Sequence, residues 1–220
     1  MADVTLLYED ASVWIYDKPA GIALLRDRSG ANDLWTRLQA GPKPYLVHRL
    51  DKGTSGVLLV AKNQAAQSKL TRLFAQRAVR KYYLAWVDGT IPAGSTHDID
   101  LPLCRGRKSR YRIAGNRADI RFENGRYCVT QDREGVPART LIRPIQARQD
   151  KTLVLIKPLT GRTHQIRVHL GWLGWPIVGD PLYNRNVRPQ TPARMCLHAR
   201  SLFVPGLTCC HAPTPVDFGH

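Results

Sequence analysis

Leu46-Val47-His48-Arg49-Leu50-Asp51-Lys52-Gly53-Thr54-Ser55-Gly56-Val57-Leu58-Leu59-Val60-Ala61-Lys62 begins polar and ends in an apolar run. The β-branched and leucine-rich residues from Val57 to Val60 predict a buried strand, because side chains of that shape fit a pleated surface closed to water. Ahead of the strand, His48, Arg49 and Asp51 share a segment whose flexible joint is Gly53. An acid beside a cation at the mouth of a core strand has two readings. A surface Asp51 paired with Arg49 or Lys52 contributes little to stability. A carboxylate nucleophile or general base, with an arginine aimed at an anionic substrate, puts the same residues to chemical use.

The whole chain has 220 residues, room for one sizeable core or for two small lobes of a single domain. No run of about 18 apolar residues occurs that could span a bilayer. The start, Met1-Ala2-Asp3-Val4, has no basic stretch ahead of an apolar core, so a cytoplasmic protein is expected. Lys and Arg total 33 against 17 Asp and Glu, a net charge of +16, which points to a polyanionic partner. Nucleic acid fits better than an anionic membrane, because the arginines are spread over loops and several elements, not gathered on a basic amphipathic helix. The competing reading is a charge that serves solubility alone. Cys104, Cys128, Cys196, Cys209 and Cys210 are odd in number and irregularly spaced, as reduced thiols are. A metal site would have to combine Cys209, Cys210 and His211 with His198 or His169, and no Cys-x-x-Cys spacing supports it, so no metal is expected.

Val4–Tyr8 and Val13–Tyr16 predict a pair of strands joined by a short turn, broken after Tyr16 by Lys18-Pro19-Ala20-Gly21. Asp33–Leu38 predicts a short helix capped by Asn32 or Asp33. Asn63 caps a longer helix to about Ala78, with Ala66, Leu70, Leu73 and Phe74 at helical spacing. Arg80–Gly89 alternates as a strand with Tyr83, Ala85 and Val87 on one face. Asp98–Arg121 is polar and strongly basic and is expected as a loop, mobile without its ligand. In it Arg105, Arg107, Lys108, Arg110 and Arg112 crowd around Tyr111, a pattern that offers phosphate contacts and a stacking surface for unpaired bases. Further strands are expected at Ala118–Phe122 and Arg126–Thr130, joined by an Asn124-Gly125 turn, then at Ala138–Ile142 and Thr152–Lys157. Arg185, Arg188 and Arg194 form a second basic loop, and Leu197-His198-Ala199 opens a closing strand.

Leu159-Thr160-Gly161-Arg162-Thr163-His164-Gln165-Ile166-Arg167-Val168-His169-Leu170 reads as a strand end, a glycine turn and a helix. Arg162 and Thr163 are expected at the helix's positive end, which attracts a carboxylate or a phosphate. Ile166, Leu170 and Leu173 share a face. His164 and His169 are expected to make structural hydrogen bonds, since no third metal ligand is evident.

Three of these stretches together carry a family resemblance. His48-Arg49-Leu50-Asp51 followed by Thr54-Ser55-Gly56 resembles the signature of the RluA-type pseudouridine synthases, which isomerise uridine in structured RNA. Lys81-x-Tyr83-x-Ala85-x-Val87-x-Gly89 and Thr160-Gly161-Arg162-x-His164-Gln165-x-Arg167-x-His169 resemble two further stretches of that family. The resemblance runs from about Tyr16 to Phe218. It implies an α+β fold with a mixed, mainly antiparallel sheet, flanking helices and a central cleft. One domain over 1–220 is expected, with basic insertions near 104–117 and 184–194 and no separate RNA-binding domain ahead of Val4. The family's catalytic roles map onto Asp51, Tyr83 and Arg162, the arginine pairing with the aspartate to orient it and favour its anionic form. Arg49 matches the position from which relatives fill the space of an extruded base. His48, Arg105, Arg107, Lys108, Arg110, Arg112, Arg167, Arg185 and Arg188 complete the expected RNA-contact set. The implied activity is a cofactor-independent RNA pseudouridine synthase acting as a monomer on ribosomal or transfer RNA. The readings from other classes are a non-catalytic RNA-binding or ribosome-assembly protein that keeps the fold, and another aspartate-dependent enzyme such as a glycosylase or nuclease.

Overall fold

The computed structural model describes residues 4–26, 33–92, 94, 96–107, 110–130, 134–185 and 194–218. Asn32, Lys108 and Arg188, named above, lie outside these. In chain order the elements are β1 (Thr5–Glu9), β2 (Val13–Lys18), α1 (Leu34–Leu38), β3 (Tyr45–Leu46), β4 (Ser55–Ala61), α2 (Gln64–Ala75) and β5 (Arg80–Asp88). They continue with β6 (His97–Asp100), β7 (Leu103–Arg105), β8 (Tyr111–Ile113), a 3-10 turn (Arg117–Asp119), β9 (Ile120–Glu123), β10 (Arg126–Val129), β11 (Arg139–Arg148) and β12 (Lys151–Pro158). The chain closes with α3 (Gln165–Leu173), β13 (Leu197–Phe203) and β14 (Cys210–His211). It divides into two compact units, Met1–Lys81 with Leu197–Val216 and Tyr82–Cys196 with Asp217–His220. Strands outnumber helices and antiparallel pairing prevails, the α+β class expected from the sequence.

In the first unit the strands run β1-β2-β4-β13, with β3 also on β4 and β14 on β13. All seven residues of β4 are buried, which is why its sequence reads as a continuous apolar run with no polar alternation. β13 lies parallel to β4, with Ala199 opposite Gly56, while β2 lies antiparallel from Val13 opposite Ala61 to Lys18 opposite Gly56. Val13, Ile15, Val57, Leu59, Ala66, Leu70 and Leu202 share the core of this unit, with Leu73 and Phe74 packed against it. The α2 helix starts where Asn63 accepts the Ala66 N–H at 2.9 Å. It stops three residues before the expected Ala78, because Arg77 takes a left-handed φ of 57° and the Ala78 N–H returns to the Leu73 carbonyl. That reversal satisfies carbonyls which a longer helix would have used.

In the second unit the strands run β5-β12-β11-β6-β10-β9, and β7 and β8 form a separate two-stranded sheet. β6 and β10 pair in parallel. β11 is ten residues long, twice the expected length, and passes through Pro144. Proline donates no ladder hydrogen bond, and the strand accommodates it at an irregularity between Pro144 and Gln146. The β9–β10 connection is the expected Asn124-Gly125 turn, with φ of 50° and 76° at the two residues. The expected basic loop is corrected by the structure. Much of 98–121 is ordered strand, with Leu103 opposite Ile113 and Arg105 opposite Tyr111, because Leu101, Leu103, Ile113 and Ala114 are buried beneath the arginines. Four apolar side chains spaced among cations anchor what composition alone reads as solvated.

Gly56 has φ of 109°, and a Cβ there would lie 2.2 Å from the Ala199 carbonyl oxygen. Gly56→Ala is expected to destabilise the protein by about 3 kcal/mol or more, since both strain and backbone overlap oppose it. Urea unfolding with tryptophan fluorescence measures the shift.

Candidate active site

Asp51 ends the polar segment four residues before β4. Its carbonyl accepts the Thr54 N–H at 3.0 Å, closing the Asp51–Thr54 turn. The carbonyl of the next residue, Lys52, accepts the Gly21 N–H at 2.8 Å. Lys18, at the end of β2, has no exposed surface, and its ammonium donates to the carbonyls of Pro19 and Ile22 at 2.8 Å and of Lys52 at 3.4 Å. A buried ammonium is costly unless its protons are used, and here they gather carbonyls from two loops. The result is a rigid turn holding a half-buried Asp51, with Arg49 exposed beside it.

His48, expected among the RNA contacts, is engaged within this unit. Its Nε2 accepts the Leu59 N–H at 2.9 Å, and its ring stacks on Phe74 at 4.9 Å. The imidazole thus extends the short β3–β4 pairing by one more hydrogen bond. Burial and the Lys81 ammonium push its pKa down to about 3, so it is neutral at ordinary pH. At the start of β4, Ser55 hydrogen-bonds the buried His198 Nδ1 at 2.9 Å.

Tyr83 and Arg162 belong to the second unit. Tyr83 is half-buried on β5, opposite Ile156 of β12, and shares its face with the buried Ala85 and Val87. Arg162 is exposed in the turn between β12 and α3, where its Nε donates to the Pro137 carbonyl at 3.1 Å. The helix begins later than expected. Arg162 and Thr163 precede it, and His164 turns the chain into it with φ of 56°. Gln165 Oε1 accepts the Arg162 N–H at 3.0 Å and the Thr160 hydroxyl at 2.6 Å. Its amide nitrogen donates to the Arg139 carbonyl and to Thr140 Oγ1 at 3.0 and 2.9 Å. Thr140 Oγ1 also meets His169 Nδ1 at 2.9 Å, and His169 Nε2 donates to the Leu101 carbonyl at 2.9 Å. This chain of buried groups, each occupied, fixes the backbone that presents Arg162. His169 is accordingly neutral, its pKa held down to about 4 by burial against the opposing pull of the Leu101 carbonyl.

Arg167 does not fit the RNA-contact role and is corrected. Its side chain is 6% exposed and forms a two-pronged pair with the wholly buried Asp180, at 2.8 and 2.9 Å. It lies in the first part of α3, where every residue from Gln165 to Leu170 is buried. Arg105, Arg107 and Arg110 are exposed on the β7–β8 hairpin, Arg112 is half-buried there, and Arg185 is exposed after Asn184. Sequence reasoning assigned no role to Lys18, Gln165, Asp180 or Tyr183. The available signal was polar residues set among apolar ones beside glycine or proline turns, which only burial converts into a positioning role. Among the described residues no three His, Cys, Asp or Glu side chains gather as a metal site, and no helix is long and apolar enough to cross a membrane.

Residues 12–172 match the family model described as RNA pseudouridylate synthase. An uncharacterized RNA pseudouridine synthase of Zymomonas mobilis is 37% identical over 225 residues, covering 97% of this chain and 94% of that one. The dual-specificity RNA pseudouridine synthase RluA of Escherichia coli is 34% identical over 206 residues, covering 91% and 86%. The solved human RNA pseudouridylate synthase domain containing 1 superposes with a TM-score of 0.78 at 31% identity, covering 98% of this chain and 84% of that one.

The two neutral histidines set an acid limit on stability. The ordinary histidine pKa is 6.5, against about 3 for folded His48 and about 4 for folded His169. Between those values the unfolded chain binds more protons than the folded one, so stability falls as pH falls from 6.5 through 4 towards 3. The thermal unfolding midpoint is expected to drop across that window. His169→Gln is expected to make the dependence shallower, which calorimetry as a function of pH measures.

Proposed function

The chain belongs to the RNA pseudouridylate synthase family, and on that premise we propose that Asp51, Tyr83 and Arg162 carry the isomerisation of uridine to pseudouridine. As an RNA pseudouridine synthase it is an isomerase. The bond between C1′ and N1 of the nucleotide breaks, the uracil turns while held, and C5 joins C1′. Asp51 acts on the ribose, as nucleophile at C1′ or as base at C2′. Tyr83 stacks on the detached ring and assists loss of the C5 proton, and Arg162 supplies the complementary cation. The observation that carries this reading is how Asp51 is held. A carboxylate stands on a turn closed by its own carbonyl, beside a carbonyl gripped by the buried Lys18, at the mouth of a wholly buried strand. Preorganisation of that kind suits a group whose position must be right before reaction begins.

The target base must leave its stack, at a cost of a few kcal/mol. Arg49 fills the space it vacates, and the hairpin arginines with Arg185 bind phosphates, offsetting that cost. The substrate is structured ribosomal or transfer RNA, and the dual specificity in the RluA relative's name supports testing both. Five cysteines, odd in number and irregularly spaced, support a reducing, cytoplasmic setting, where the protein acts as a monomer.

RNA transcripts labelled with tritium at uracil C5 provide the test. Wild type is expected to release tritium to water without free uracil. Asp51→Ala is expected to lose turnover by roughly 10³-fold or more while keeping its RNA affinity. Arg49→Ala is expected to weaken productive binding by about tenfold. Full activity in Asp51→Ala would remove the aspartate from the mechanism. Binding by wild type without tritium release from any transcript would favour the non-catalytic RNA-binding protein.

A further inference from the structure

The β7–β8 hairpin stands outside the main strand order of the second unit. Its base is anchored by the buried Leu103 and Ile113 and by two backbone hydrogen bonds between Leu103 and Val136, at 2.8 and 2.9 Å. The end that carries Arg105, Arg107, Arg110 and Arg112 has a different tether. The backbone N–H of Tyr111, directly opposite Arg105, donates to the hydroxyl of Tyr183 at 2.9 Å. The same hydroxyl lies 3.0 Å from Nδ1 of His164, the residue that turns the chain from Arg162 into α3. With the Tyr111 N–H as donor, the phenol proton is available for Nδ1 of a neutral His164. Tyr111, His164 and Tyr183 also meet edge to face, at 5.9 and 5.7 Å.

The body of Tyr183 is held independently of its hydroxyl. Asp180 Oδ1 accepts the Leu182 and Tyr183 N–H groups at 2.9 and 3.2 Å while its carboxylate grips Arg167. The Arg167 guanidinium lies 5.2 Å from the Tyr183 ring centroid. A Cβ built on Gly171 of α3 would stand only 3.3 Å from the Tyr183 Cβ, so the helix approaches this tyrosine closely. A phenylalanine would satisfy all of these contacts. The hydroxyl is the part that reaches both the hairpin backbone and the Arg162–His164 turn.

We propose that Tyr183 is a positioning residue whose hydroxyl registers the arginine hairpin against the Arg162 turn, so that RNA held by the hairpin is delivered in the correct place. This rests on the reading that the hairpin arginines hold RNA and that Arg162 acts on the uridine. Arg167 and Asp180 are the buried support for that tether.

The experiment compares wild type, Tyr183→Phe, Arg105→Ala/Arg110→Ala and the combined triple variant by tritium release from an RNA transcript, together with their thermal midpoints. Tyr183→Phe is expected to lower kcat/KM about tenfold, carried mainly by KM, because one hydroxyl serves two part-buried partners. Its thermal midpoint is expected to fall by no more than a few degrees, since water reaches both part-buried partners. In the background lacking Arg105 and Arg110 the same substitution is expected to cost almost nothing further, since the hairpin has already lost its hold on RNA. Kinetics equal to wild type, or an undiminished loss in the arginine-deficient background, would overturn the proposal. If wild type releases no tritium, the functional reading fails separately. The tether is then judged by filter binding of RNA in the Asp51→Ala background. There Tyr183→Phe weakens binding only when the hairpin arginines are present, and unchanged binding overturns it.

Discussion

Complete burial of β4 is the constraint on which the first unit depends. A seven-residue strand with no wet face must have neighbours along its edges and side chains above and below. It obtains them from β2, β3 and β13 and from the α2 side chains. Slipping such a strand by one residue would exchange every buried contact at once, so its register is strongly determined. The turn that precedes it inherits that rigidity. Asp51 is displayed at a set height above the core, and the buried Lys18 ammonium removes the remaining freedom by holding the Lys52 carbonyl.

The second unit solves the same problem with polar groups. Gln165 joins the Arg162 turn to β11, Thr140 passes the chain on to His169, and His169 ends it on Leu101 beside the base of the β7–β8 hairpin. The links from Gln165 through Thr140 and His169 to Leu101 are buried, so losing one strands its partners away from water and penalises any alternative arrangement of the turn. The Arg167–Asp180 pair works alongside, fixing the 180–184 segment against α3. Two rigid presentations result, each carrying exposed arginines. That division suits an enzyme whose substrate is a large polyanion and whose chemistry concerns one base. Charge recruits without demanding geometry, and buried polar contacts supply the geometry.

Much of this was readable before any coordinates. The β4 run, the Asn63 cap, the Asn124-Gly125 turn and the Asp33 start of α1 each follow from local chemistry acting over a few residues. The signatures around Asp51, Tyr83 and Arg162 were readable as well, because they occupy contiguous stretches. Other features escaped for identifiable reasons. Pro144 hid the second half of β11, since a breaker by local rules is tolerated at a strand irregularity. The arginines of 105–112 masked the apolar residues that make a hairpin there. Arg167 and His48 looked like surface cations by residue type, and their partners, Asp180 and the Leu59 N–H, lie 13 and 11 positions away.

The sequence by itself determined the class of fold, the family and the polyanionic partner, and it singled out Asp51 as the carboxylate proposed for catalysis, because each is written in composition or in an unbroken stretch. Tertiary structure alone decided which cations meet solvent and which are spent inside. It also decided that Lys18, Gln165 and Tyr183 hydrogen-bond the turns beside Asp51 and Arg162. Burial is a property of where distant segments meet, and a polar side chain becomes a positioning group only when water has been excluded around it.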